Sequence, residues 1–217
     1  MITVNEGLRL RSVSLQFGGV TALRDINLAM RPGSLHRITG GNGAGKTSLL
    51  DVVSGFESAS VGAVVTLDRT VLTGLPRSAI ASIGVGRTFQ RLGPPVNLTV
   101  SECLQLVPAG ERRRLAISFA NDSGLDAYRT SYVTELSNGL RKRLKFACAL
   151  GVATRVLLLD EPFAGLDLPS TQLMTTVIRR RCESGVTVVV VEHSIRAGFL
   201  NCTEWRLDAG RLIRHAN

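Results

Sequence analysis

Apolar and polar residues alternate in strand fashion through LRLRSVSLQF (8–17) and again through INLAM (26–30). That period of two belongs to half-buried strands, and Gly18-Gly19 and Arg31-Pro32-Gly33 supply turn signals, so an antiparallel lobe is predicted first. LHRIT (35–39) reads as a buried strand, GAVVTLDRTVLTGLP (62–76) as a further short β excursion, and SIGVGRTFQ (82–90) as a strand ending in polar residues. From Leu92 to about Leu150 the character changes. Pro94-Pro95 breaks the pattern, and in SNGLRKRLKFACALG Leu140, Leu144, Ala147 and Gly151 recur at helical spacing behind Ser137, a good N-cap. RVLLLD (155–160) and VTVVVV (186–191) are unbroken apolar runs of strand length, as parallel strands covered on both faces require, and DLPSTQLMTTVIRRRCESG between them fits a crossover helix. The pattern predicts an α/β core with an antiparallel β lobe and an inserted helical lobe.

Candidate chemistry gathers at the ends of these strands. ITGGNGAGKTSLLD (38–51) matches G-x-x-x-x-G-K-[ST], and the nine residues Gly40, Gly41, Asn42, Gly43, Ala44, Gly45, Lys46, Thr47 and Ser48 form the phosphate-binding stretch. Glycine tolerates the angles that turn successive N–H groups into one concavity, and the helix starting near Lys46 adds its positive end. Lys46 is expected to reach the β- and γ-phosphates and the Thr47 hydroxyl to ligate Mg²⁺. Asp160, ending a buried strand, is placed to hold the Mg²⁺ through water, and Glu161 beside it to act as general base. His193, after the last apolar strand, is expected at the same sheet edge, against the γ-phosphate or the attacking water. Gln90 is expected to touch Mg²⁺ or that water. Phe17 offers an aromatic face for adenine. Ser137, Asn138 and Gly139 make a second small anion surface at a helix start. One nucleotide scarcely needs two such turns from one chain, which points to two chains sandwiching ATP.

Length and composition narrow this reading. With 217 residues there is room for one large domain or one domain with an inserted lobe. No apolar run approaches bilayer length and the N-terminus lacks signal-peptide features, so a soluble cytosolic chain is expected. The four cysteines show no C-x-x-C spacing and read as reduced structural thiols. A net charge of +9 favours an acidic partner, but the triplets Arg112–Arg114, Arg141–Arg143 and Arg179–Arg181 read first as solvated helix faces.

The phosphate loop, Gln90, LSNGLRKR, LLLDEP, AGLD and His193 stand in an order that resembles the ATP-binding-cassette (ABC) superfamily over nearly the whole chain. The resemblance implies a P-loop NTPase core of ABC ATPase type, a single domain spanning 1–217. The α/β core and β lobe would come from 1–90 and 151–217, and a helical subdomain from 91–150. It implies a head-to-tail ATP-sandwich dimer, with itself or with a second ABC ATPase subunit. It also implies Phe17 as the adenine-stacking residue, Gln90 as a sensor between lobes, Glu161 as catalytic base and His193 as switch. FGGVTALRDINL, VSGF and GVGRTFQR look most like ATPase subunits of the branched-chain amino-acid importer group, whose relatives import urea and amides. The expected setting is then the inner face of the cell membrane, against membrane-spanning permease subunits, with no specific nucleic acid. A non-transport cassette of DNA repair or translation is the alternative, yet the long heptad insertions and paired cassettes of those proteins are missing here. A cassette that binds ATP without turnover is disfavoured by Glu161 and His193. Asn138 and Leu140 replace the second glycine and the glutamine of the family's LSGGQ, and Gly41 stands where proline is common.

Overall fold

The computed structural model describes residues 6–60, 62–90, 93–192 and 202–214, and the expectation for His193 lies outside them. Strands β1 (Leu8–Phe17) and β2 (Val20–Met30) form the antiparallel hairpin turned by Gly18-Gly19, and β4 (Val64–Leu67) and β5 (Thr70–Val71) complete a four-stranded sheet in the order β2-β1-β4-β5. The second sheet has six strands. Its parallel centre is β3 (Leu35–Thr39), β8 (Thr187–Val191), β7 (Val156–Asp160) and β6 (Val85–Arg87), and β9 (Thr203–Asp208) and β10 (Arg211–Arg214) extend the other edge.

The α-helices among the described residues are α1 (Lys46–Val53), α2 (Arg77–Ile83), α3 (Val100–Gln105), α4 (Glu111–Asp122), α5 (Asn138–Val152) and α6 (Leu168–Glu183). Every residue of β7 and β8 is buried. Alternation then sends them to different cores: Val156, Leu158, Val189 and Val191 pack with the β lobe and α1, and Leu157, Leu159, Val188 and Val190 with α5, α6 and the other helices. The helices between Gln90 and β7 therefore share one core with a face of the sheet.

Two expectations are corrected. SIGVGRTFQ is not one strand, because Ile83 ends α2 and Gly84 caps it in the left-handed conformation, leaving only Val85–Arg87 extended. The basic triplets are only partly solvated: Arg114, Arg179 and Arg180 are exposed as expected, whereas other members reach back to the chain. Arg141 donates to the carbonyls of Val133 and Thr134, Lys142 to those of Glu161 and Ala164, and Arg143 to that of Ser123. Likewise Arg113 donates to the carbonyls of Val107 and Gln105, and Arg181 to that of Ala153.

Candidate functional site

The loop between β3 and α1 is wedged between two pieces of backbone. A Cβ on Gly45 would stand 2.3 Å from the Ala22 carbonyl of β2, and one on Gly40 would stand 2.3 Å from the Leu207 carbonyl of β9. Gly45 also holds φ 101°, a conformation that side chains resist. Gly41 and Gly43 differ, since a Cβ on either meets open space. They leave the loop's outer rim bare of side chains, where an anion can approach the backbone. Gly45 caps α1 without a side-chain bond, so the N–H groups of its first turn stay open to an acceptor. Ala44 is buried, and Asn42 and Thr47 are exposed.

Lys46 is only 6% exposed, and its ammonium donates to the carbonyls of Gly40 (2.9 Å) and Gly41 (2.7 Å). Burial lowers its pKa, and Glu161 and Asp160 oppose that shift. Among the described residues its hydrogen-bond acceptors are the loop's own carbonyls, a contact it can exchange for a phosphate.

Asp160 ends β7 at 5% exposure, and its Oδ2 accepts no hydrogen bond from the described residues. Burial raises its pKa, while the Thr47 hydroxyl and the Arg87 guanidinium favour the charged form. Its N–H donates to Thr88 Oγ1 (3.1 Å). Glu161 adopts φ 46°, a strained angle for a glutamate, and its N–H donates to the Val191 carbonyl (2.9 Å). Gln90 Nε2 donates to Glu161 Oε2 (3.1 Å), and a cavity of about 50 Å³ lies among Gln90, Asp160, Glu161, Lys142 and Lys145. An ordered water needs roughly 10–15 Å³ of such space.

The expected residues therefore meet at one edge of the sheet: the 40–48 loop, Asp160, Glu161 and Gln90. Phe17 is no core aromatic, being 47% exposed at the end of a hairpin whose second strand abuts Gly45. Ser137 caps α5 by accepting from the Leu140 N–H (3.3 Å). Ser137 and Asn138 are exposed, and Asn138 borders a different cavity of about 550 Å³ together with Gln90, Ala164 and Gly165.

Sequence reading passed over Arg87. Its side chain is 3% exposed, lies 3.9 Å from Asp160 Oδ2, and donates to Asp51 Oδ1 (2.7 Å) and Ser54 Oγ (2.8 Å). Its guanidinium sits 4.6 Å from the centre of the Phe89 ring. The signal was a lone arginine inside an otherwise apolar strand, which demands a buried partner.

Two observations fit a magnesium–triphosphate group here: a buried carboxylate oxygen with no donor among the described residues, and a lysine resting on loop carbonyls. Among the described residues no cluster of three His, Cys, Asp or Glu could hold a metal by itself, so the ion would come shared with phosphate oxygens. An open helix start, a buried lysine and a carboxylate at the end of the next strand but one define an ATPase of the P-loop class.

The chain belongs to the ABC transporter family, whose model matches residues 23–164, and it is an ABC-type ATPase. It is 32% identical over 207 residues to the taurine import ATP-binding protein TauB of Yersinia pestis, covering 91% of this chain and 77% of that one. It is 30% identical over 211 residues to the high-affinity branched-chain amino acid transport ATP-binding protein BraF of Pseudomonas aeruginosa, covering 87% and 82%. In fold it resembles the ADP conformation of MJ1267, an ATP-binding cassette of an ABC transporter (TM-score 0.80, 23% identity, 96% and 89% covered). It also resembles the dimeric bacterial cassette MJ0796 (TM-score 0.79, 24% identity, 97% and 99% covered).

Proposed function

We propose that this chain hydrolyses MgATP to drive solute import through separate membrane-spanning permease subunits, working as a peripheral subunit on the inner face of the cell membrane. The observation that carries this reading is the convergence of Lys46, Thr47, Asp160, Glu161 and Gln90 on one sheet edge. A branched-chain amino acid, or a related urea or amide, is the proposed solute. Its support is the likeness of FGGVTALRDINL and GVGRTFQR to that importer group, with BraF among the relatives. The taurine relative shares the import setting with a different solute.

The chemistry follows from the residues. Lys46 exchanges the carbonyls of Gly40 and Gly41 for the β- and γ-phosphates, a charge-assisted bond that the first N–H groups of α1 extend. Thr47 and Asp160 would hold Mg²⁺, which supplies positive charge against the triphosphate. Glu161 accepts a proton from a water in the cavity that it shares with Gln90, whose amide fixes the carboxylate. Phe17 stacks on the adenine. Residues 91–150 act as the helical subdomain that faces the permeases. The Ser137–Asn138–Gly139 turn serves the nucleotide of the partner subunit, in a homodimer or with a second ABC ATPase. His193 is the proposed switch.

The alternative, a cassette acting on nucleic acid or the ribosome, draws on the charge of +9. Arg113, Arg141, Lys142, Arg143 and Arg181, five of the 26 basic side chains, already bond backbone carbonyls of this chain. Reconstitution decides between them. ATP turnover should rise when permeases are added, and DNA affinity should be weak and steeply salt-dependent. Tight, salt-resistant DNA or ribosome binding would support the alternative.

A further inference from the structure

Helix α5 carries two lysines one turn apart that reach two different segments of the chain. Lys142 Nζ donates to the carbonyls of Glu161 (3.3 Å) and Ala164, in the loop after β7. Lys145 Nζ donates to the carbonyls of Phe89 (3.0 Å) and Gln90 (3.3 Å), in the segment after β6. Both lysines border the cavity of about 50 Å³ that Gln90, Asp160 and Glu161 also line. Their ammonium groups donate to main-chain oxygens of the two segments that present Gln90 and Glu161. Burial lowers the pKa of each, and the carbonyl acceptors offset part of the cost of burying the charged form. The same helix begins at the exposed Ser137–Asn138–Gly139 turn.

We propose that Lys142 and Lys145 are positioning residues that make α5 a strut: Lys142 holds the Glu161–Ala164 segment, Lys145 holds the Phe89–Gln90 segment, and both are tied to the turn at the start of the helix. The Gln90–Glu161 hydrogen bond then depends on one rigid element rather than on two independent loops. A contact made at Ser137–Gly139 by another chain is passed along α5 to the carboxylate and the amide that handle water. This rests on the proposed catalytic role of Glu161, but the holding function itself does not require turnover.

The test is a crossed one, on the full chain, using amide hydrogen exchange without nucleotide and steady-state ATPase assays. Lys145→Met should speed exchange about tenfold in peptides covering Thr88–Gln90 and leave Glu161–Gly165 unchanged, the opening that loss of one charge-assisted hydrogen bond permits. Lys142→Met should do the reverse. Each should lower kcat about fivefold or more with KM for ATP nearly constant, because the phosphate loop is untouched. Lys142→Arg and Lys145→Arg, which keep the charge and gain donors, should restore protection. The proposal is overturned if each methionine variant loosens both segments alike, if neither loosens its own, or if the arginine variants of correctly folded protein match the methionine ones. An inactive parent protein would sink the ATPase mechanism while leaving the exchange pattern to decide the strut.

Discussion

Gly45 and Gly139 each lie at the start of a helix offered to an anion, and their surroundings are opposite. A Cβ on Gly45 runs into the Ala22 carbonyl at 2.3 Å, whereas one on Gly139 meets nothing nearer than Leu166 Cδ2 at 3.9 Å. Around the first, Lys46 and Asp160 are buried and β2 and β9 press on the loop. Around the second, Ser137 and Asn138 are exposed, and the cap bond to the Leu140 N–H is the local restraint. The difference teaches how the work is divided. The phosphate loop is shaped by the chain's own packing, while the Ser-Asn-Gly turn is left exposed, which suits the proposal that its nucleotide arrives with another molecule. Substitutions at the first should damage the isolated subunit, and those at the second should be felt only in an assembly.

The largest effect is expected at Glu161. Glu161→Gln keeps the size and the hydrogen bond from Gln90 but removes the basic site, so turnover should fall by about 10²–10⁴-fold with ATP affinity kept. Near-normal turnover in a phosphate-release assay would move the base elsewhere.

Next is acid sensitivity on the phosphate-loop side. His36 of β3 is buried, accepts from Trp205 Nε1 (3.0 Å) at Nδ1 and faces Ser34 Oγ (2.7 Å) at Nε2, a pattern that suits the neutral ring. Burial, with Arg214 adding to it, pushes its pKa down to about 4. The folded state thus binds the proton less readily than the unfolded one. The stability this contributes is full above pH 6.5 and is lost as pH falls toward 4, on the order of 3 kcal/mol in all. Urea melts at pH 7 and 4.5 should show the parent losing about 2 kcal/mol more than His36→Gln. Equal losses would remove His36 from the account.

The glycines test the comparison itself. Gly45→Ala should destabilise the fold by about 1–3 kcal/mol, from the clash and the positive φ together, and abolish tight ATP binding. Gly139→Ala should stay within about 0.5 kcal/mol of the parent in thermal melts and bind ATP normally. If both behave alike, the two turns are not built differently. The smallest effect is expected at Phe17, where Phe17→Ala should weaken ATP several-fold by calorimetry with stability unchanged, because the ring is half exposed. Lost stability at constant affinity would make it a packing residue.

Much of this was legible in the sequence wherever one local pattern decides the structure. LLLD announced a buried strand ending in a carboxylate, G-x-x-x-x-G-K-T a loop leading into a helix, and Ser137 a cap, and each stands so in the fold. What stayed hidden depends on contacts distant in the chain. RSAIASI (77–83) is too short for periodicity to separate helix from strand, so 77–81 carried no reading and Ser82-Ile83 were joined to the strand that follows. The basic residues of α5 look solvated in any helical projection. Only the placement of Phe89, Glu161 and Ala164, carbonyls 19 to 56 residues away, shows where Lys142 and Lys145 go. Likewise nothing local to Arg87 names Asp51 or Asp160 as its partners.

The central claim is that the exposed turn completes the buried site of another copy, and trapping ATP tests it most directly. Glu161→Gln protein should be monomeric by light scattering without nucleotide and dimeric with MgATP, and a second change, Ser137→Arg, should return it to monomer while the phosphate loop still binds ATP. A Glu161→Gln protein that binds ATP at full stoichiometry yet stays monomeric, alone and with its membrane partner, would contradict the shared site.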